Sequence, residues 1–140
     1  MYVEFSLLYF EKGADMNLCV LKGNLARDPE LRSVTTGSRE TSVVNFTVAV
    51  SREYRKSDGS TDKNTTFVNC EAWDSGAEAI ASSFKKGDLV MLEGSLRNDN
   101  WEKDGVKHSS MKVRVSNFGK ITKTKVNKQK EPKEEAVTAF

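Results

Sequence analysis

The sequence predicts an all-β protein, a small five-stranded barrel with one short helix between its third and fourth strands and a disordered C-terminal tail. Three observations carry that prediction. Five short runs read as strands, most of them alternating apolar and polar side chains with the period of two that buries one face. A single run around Ile80 has helical spacing instead. Past Gly119 neither period persists and lysines and glutamates take over, as in a solvated tail.

Leu18-Cys19-Val20-Leu21, led in by Met16-Asn17, reads as the first strand, and Gly23-Asn24 closes it in a bend. Asp28-Pro29 then opens a loop. In residues 42–50, Val44, Phe46, Val48 and Val50 share one face while Asn45, Thr47 and Ala49 share the other, which gives a second strand with one buried side. The polar segment 54–64, with Asp58-Gly59 in it, reads as a long hairpin tip. The third strand follows over residues 65–73. Thr66, Val68, Cys70 and Ala72 have one parity there and Phe67, Asn69, Glu71 and Trp73 the other, so the largest aromatics fall on the polar face. Ala77, Ile80, Ala81 and Phe84 recur at i, i+3, i+4 and i+7, the apolar stripe of one short helix, with Lys85 and Lys86 as its basic last turn and Gly87 as its stop. Residues 89–96 form the fourth strand, with a bulge expected at Gly94. Asp104-Gly105 turns the chain into the fifth, where Met111, Val113 and Val115 alternate with Lys112 and Arg114. Three strands, a helix and two strands is an order that suits the oligonucleotide/oligosaccharide-binding (OB) barrel.

Composition narrows the function classes. A chain of 140 residues holds one such domain with appendages and hardly two. With 30% charged residues and no long apolar stretch, a membrane-embedded protein is excluded. Residues 1–10 are apolar, but they lack a basic leading segment, contain Glu4, and run into Glu11, Lys12 and Asp15 without a small-residue cleavage site, so they are not read as a secretory signal. Cys19 and Cys70 have no CxxC spacing and only His108 for company; no metal site or cofactor is expected, and both thiols are read as reduced core residues. The net charge of +2 decides nothing by itself. Its distribution does: residues 111–130 are basic without an acidic residue, and the last ten residues reverse the sign with Glu131, Glu134 and Glu135.

Four aromatics stand where a core does not require them: Phe67 and Trp73 on a polar strand face, Tyr54 at a hairpin base, and Trp101 beside a polar turn. A groove for single-stranded nucleic acid uses such residues, because every base has a π-face and stacking contributes about 1–3 kcal/mol per base whatever the sequence. Cations to track the phosphates are at hand in Arg52, Arg55 and Lys56 on the first hairpin, Lys85 and Lys86 after the helix, Arg97 before Trp101, and Lys107 and Lys112 on the last strand. Alternatively, Phe67 and Trp73 pack under the helix, and each cation taken singly belongs to a solvated face.

Gly23-Asn24-Leu25 and Asp28-Pro29-Glu30-Leu31-Arg32, after Met16-Asn17, resemble the opening of bacterial single-stranded DNA-binding proteins. The resemblance continues through Asn45-Phe46-Thr47-Val48-Ala49, Lys86-Gly87 and Val90-Met91-Leu92-Glu93-Gly94-Ser95-Leu96-Arg97 to Trp101, and spans residues 16–118. It implies sequence-independent binding and protection of single-stranded DNA in replication, recombination and repair, in the cytoplasm, with bases stacked on Tyr54, Phe67, Trp73 and Trp101. It also implies a homotetramer. By the same resemblance residues 1–15 form an extension outside the barrel, 16–118 the DNA-binding domain and 119–140 a flexible tail. That tail's tip docks replication and repair proteins through Glu134, Glu135 and Phe140. Three departures stand out. Asn98, Asp99 and Asn100 occupy positions that are often basic in the family, which weakens the phosphate contacts implied there. Val68 replaces a frequent histidine after the aromatic position, and the tail ends EPKEEAVTAF rather than in an acidic cluster followed by an apolar residue, Pro and Phe.

No catalytic constellation competes with this reading, since His108 sits in a polar hairpin with no nucleophile pattern near it. Asp58, Asp62 and Asp104 are explained as turn residues. The nearer rival is an OB-fold RNA-binding or primosomal accessory protein, because no residue can be assigned to a 2′-hydroxyl.

Overall fold

The strands run further than their sequence periods suggest. The structure, a computed structural model, describes residues 15–122; the expectations for the N-terminal extension before them and for Glu134, Glu135 and Phe140 lie outside the described residues. The elements are β1 (Cys19–Leu25), β2 (Glu30–Thr36), β3 (Arg39–Arg55), β4 (Thr61–Trp73), α1 (Asp74–Ser83), β5 (Leu89–Lys103) and β6 (Val106–Lys120). The sheet order is β1-β5-β6-β4-β3-β2, and β1 also pairs with β3. Five strands therefore close into the expected barrel, with α1 between β4 and β5 and with β2 attached outside the ring as a hairpin on β3. Closure on the far side is the parallel pairing of β4 with β6 at Cys70 to Val113 and Glu71 to Arg114.

The extra strand corrects the loop expected after Asp28-Pro29. Glu30 to Thr36 pair residue by residue with Asn45 to Arg39. Only Val34 among them is even half-buried, so β2 has no apolar face to advertise it. The bend expected at Gly23-Asn24 is also absent. Instead β1 continues and changes partner: Cys19 to Asn24 pair with β5, and Asn24 and Leu25 also pair with Ala49 and Val48 of β3. A Cβ on Gly23 would stand 2.3 Å from the Ala49 carbonyl oxygen, so only glycine lets the two strands cross this closely.

Inside the ring, Leu25, Val44, Phe46, Val48, Cys70, Ala72, Val90, Leu92, Val113 and Val115 form the core, joined by Ala77 and Ile80 of α1. The apolar parity of β3 and β4 supplies the core, as the alternation predicts, while Val43, Thr47 and Glu71 of the other parity are buried as well. Phe84 follows the helix rather than ending it, and stands edge-on to Phe46 at 6.2 Å and Phe118 at 5.8 Å. Lys85 and Lys86 consequently lie in the turn beyond α1 and not in its last turn, with Gly87 at φ 88°. Both cysteines are free; Cys70 is buried, whereas Cys19, near the open start of β1, is only half-buried. Burial, and then the nearby Cys19, push the Cys70 thiol up to about 12, which leaves it un-ionised and unreactive.

Two long hairpins project from the ring. In the β3–β4 hairpin, pairing continues out to Arg55 with Thr61, so the tip is residues 56–60 rather than 54–64, with Gly59 at φ 86°. Asp104 and Gly105, both at positive φ, make the tight turn between β5 and β6, and β5 reaches Lys103 instead of ending at Leu96. The bulge falls between Glu93 and Gly94, at the residue the sequence singles out.

Candidate nucleic-acid interface

Strand alternation sorts the candidate residues onto faces. On β4, Phe67, Asn69, Glu71 and Trp73 point away from the core, and the register joins this face to Arg114 and Lys112 of β6. Through the β5–β6 ladder the same face continues as Ser95 beside Arg114, Arg97 beside Lys112, Asp99 beside Ser110, and Trp101 beside His108. Phe67, Trp73 and Trp101 therefore share one outer sheet face with Arg97, Lys112 and Arg114 between them. Tyr54 does not: it has the parity of Val50 and Arg52, with which it lines an open depression of the β3–β4 arm together with Asn64 and Thr66. Lys85 and Lys86 lie apart from both, their backbone N–H groups donating to Asp88 and Asp28.

Exposure separates the aromatics further. Phe67 is 67% exposed, Trp101 48% and Tyr54 45%, so none of these three packs under the helix. Trp73 is half-buried where β4 enters α1, and the Arg114 guanidinium sits 5.5 Å from its ring centroid. Its buried Nε1 makes no regular hydrogen bond. His108 stacks on Trp101 with ring centroids 5.5 Å apart and an interplanar angle of 16°.

A compact charge cluster lies between the tryptophans. Glu71 is 2% exposed. Its Oε1 accepts from Arg114 Nε at 3.2 Å and Nη2 at 3.1 Å, and its Oε2 lies 2.7 Å from Lys112 Nζ. Lys112 also meets the Asp99 carboxylate. Burial opposes the charge of Glu71 most, but the hydrogen bonds from Lys112 and Arg114 and the positive charge of Lys112 together hold its carboxyl below the usual glutamate range. Burial likewise opposes the charge of Lys112, and its contacts with Asp99 and Glu71 outweigh it and hold the ammonium above the usual lysine value. At the other hairpin, Lys56 bridges to Asp62 at 2.9 Å and Tyr54 Oη donates to the same carboxylate at 3.4 Å. Among the described residues Arg52, Arg55, Lys85, Lys86, Arg97 and Lys107 form no ion pair.

Sequence reasoning passed over three members of this surface. His108 was legible: a two-residue turn at Asp104-Gly105 puts it opposite Trp101. Glu71 and Arg114 were not, because their meeting depends on the parallel closure of β4 on β6 across 43 residues of chain. Among the described residues, no three histidine, cysteine or carboxylate groups come close enough to hold a metal ion, and no helix is long and apolar enough to cross a membrane.

Fold and face together define an OB-type barrel whose polar sheet face carries exposed aromatics with cations between them. The chain belongs to the Single-strand binding protein family, whose profile matches residues 16–121. It is 33% identical over 122 residues to the single-stranded DNA-binding protein of Aquifex aeolicus, an alignment covering 87% of this chain and 81% of that one. Among solved structures, the Plasmodium falciparum SSB in complex with ssDNA shares the fold with a TM-score of 0.67 at 18% identity, over 77% of this chain and 96% of that chain. A deletion mutant of the single-stranded DNA binding protein from Thermus aquaticus gives a TM-score of 0.65 at 25% identity, over 77% of this chain and 51% of the other.

Proposed function

We propose that this protein binds single-stranded DNA without sequence preference, protecting it in replication, recombination and repair, and that it carries out no catalysis. The observation that carries the reading is the outer face of β4, β5 and β6, where Phe67, Trp73 and Trp101 alternate with Arg97, Lys112 and Arg114. Rings stack bases of any identity and cations follow the phosphates, so affinity comes without base-edge recognition. Tyr54, Arg52, Arg55 and Lys56 extend the path along the β3–β4 arm, Lys107 along the β5–β6 arm, and Lys85 and Lys86 add basic charge beyond α1. Residues 16–120, to the end of β6 and two residues past the expected boundary, act as the binding domain, with 1–15 outside it and the residues beyond as a tail whose Glu134, Glu135 and Phe140 dock replication and repair proteins in the cytoplasm.

A homotetramer is part of the same proposal. Met16 and Leu18 just before β1, Val20 on it and Met91 on the neighbouring strand β5 leave apolar side chains about half exposed, a surface that further copies of the chain would cover. The test is a competition titration of single-stranded DNA, single-stranded RNA and duplex DNA, read by tryptophan fluorescence over a salt series. The expected result is quenching by single-stranded DNA, little preference among mixed sequences, and affinity that falls as salt rises. Trp73→Ala and Trp101→Ala should each weaken binding by about 1–3 kcal/mol. Tighter binding of RNA would transfer the surface to the RNA-binding class. Normal binding by both variants, with easier unfolding, would return the tryptophans to a packing role.

A further inference from the structure

We propose that Asp99 is a built-in competitor for phosphate at Lys112, so that each binding event exchanges a protein carboxylate for a backbone phosphate. The inference rests on the reading of this face as a single-stranded DNA surface and adds one residue to it that opposes binding.

The cluster of Glu71, Asp99, Lys112 and Arg114 holds two carboxylates and two cations, so beside the unpaired Arg97 these four have no net charge of their own, and Lys112 can offer its charge to a phosphate only when an acid lets go of it. One acid must give way. Glu71 cannot: it is 2% exposed, accepts from both cations, and its withdrawal would leave a buried charge without a partner. Asp99 can. Its side chain is 48% exposed, and among the described residues its carboxylate meets only Lys112. Glu71 keeps Lys112 pointed at this spot whether or not Asp99 is present, which makes a cation site whose second ligand is replaceable. A backbone phosphodiester, like the carboxylate it replaces, shares a single negative charge between two acceptor oxygens.

The location fits that exchange. Asp99 lies two residues before Trp101 on β5, and Lys112 pairs with Arg97, about 13 Å along the strand from Trp101 at 3.3 Å per residue. A nucleic-acid backbone passing from a base on Trp101 towards Trp73 crosses Lys112. Once released, Asp99 remains beside that backbone as a repelling charge, which lowers affinity and hastens dissociation.

The test is a double-mutant cycle on the full chain, with a fluorescent single-stranded oligonucleotide titrated at one fixed, low salt concentration. Asp99→Asn is compared with Asp104→Asn, which removes the same charge from the same hairpin without touching Lys112, and is repeated in a Lys112→Gln background. Asp99→Ser serves as a second variant, and melting temperatures confirm folding. Asp99→Asn is expected to bind about two- to fivefold more tightly than Asp104→Asn, the range of an exposed ion pair, and to lose that gain when Lys112 is Gln. Equal affinities for the two Asn variants, or a gain that survives Lys112→Gln, would overturn the proposal while leaving the DNA-binding reading intact. Absence of binding by the unmodified protein would remove both.

Discussion

At the scale of single residues, the outer face is organised by a group that the solvent barely sees. Glu71 fixes Arg114 over Trp73 and Lys112 between the tryptophans, so one buried carboxylate sets the position of two half-buried cations. Glu71→Gln should lower stability by about 1–3 kcal/mol, less than breaking a fully buried pair because Lys112 and Arg114 keep contact with water. The pH dependence follows from the direction of the shift. A depressed folded-state value means that this stability is present above the ordinary glutamate value of 4.5 and is lost as pH falls through the lower folded value. Lys112, raised above 10.5, adds stability that is lost only as pH rises through its own higher folded value. Melting curves of the unmodified protein and Glu71→Gln should therefore differ near neutrality and draw together progressively as pH falls below 4.5; a gap that does not shrink with acid would show that the charge is not the cause. Isolated aromatics such as Phe67 and Trp101 were legible in the sequence because a large ring on a polar face contradicts its surroundings. Arg97 and Lys112 were legible beside them as cations, but Glu71 and Arg114 were not, since alternation gives a residue's face but not its neighbour across a closing seam.

For elements, legibility follows burial. The ring strands reveal themselves because one side of each is apolar. β2 and the outer halves of both hairpins are wet on both sides, and there the sequence shows turns and loops where the chain stays paired. The helix is read correctly from its stripe but ends earlier, because Phe84 joins the core from an extended backbone. The bulge at Gly94 is the sharpest success, and its necessity is steric. A Cβ there would lie 2.1 Å from the Arg114 carbonyl oxygen and 2.8 Å from its carbon, contacts that backbone cannot relieve by rotating away. Gly94→Ala should cost about 1–3 kcal/mol, seen as an earlier midpoint in denaturant with an unchanged slope. An unchanged midpoint would mean that β5 and β6 slide apart without cost. The same displacement would move Arg114, so tryptophan quenching should weaken alongside.

Across the whole molecule, the sequence conveyed the ring, its helix and its class, and missed how the ring distributes its aromatics. Phe67, Trp73 and Trp101 are on the outer face of the sheet and Tyr54 on the opposite parity of a projecting arm. Two linked surfaces joined by one flexible polymer behave as a bivalent pair. On the proposed reading, an oligonucleotide that fits the outer face alone would gain from three rings, and one long enough to round the arm would reach Tyr54 at the high effective concentration set by its own tether. Affinity plotted against oligonucleotide length should then climb in a step rather than a ramp, and Tyr54→Ala should erase the step while leaving the short-oligonucleotide affinity unchanged. A smooth rise, or equal loss at all lengths, would mean that the four rings act as one continuous track. On the proposed reading, the parity of a single tyrosine would then serve as a ruler, with short gaps held loosely and longer strands, able to turn the corner, held firmly.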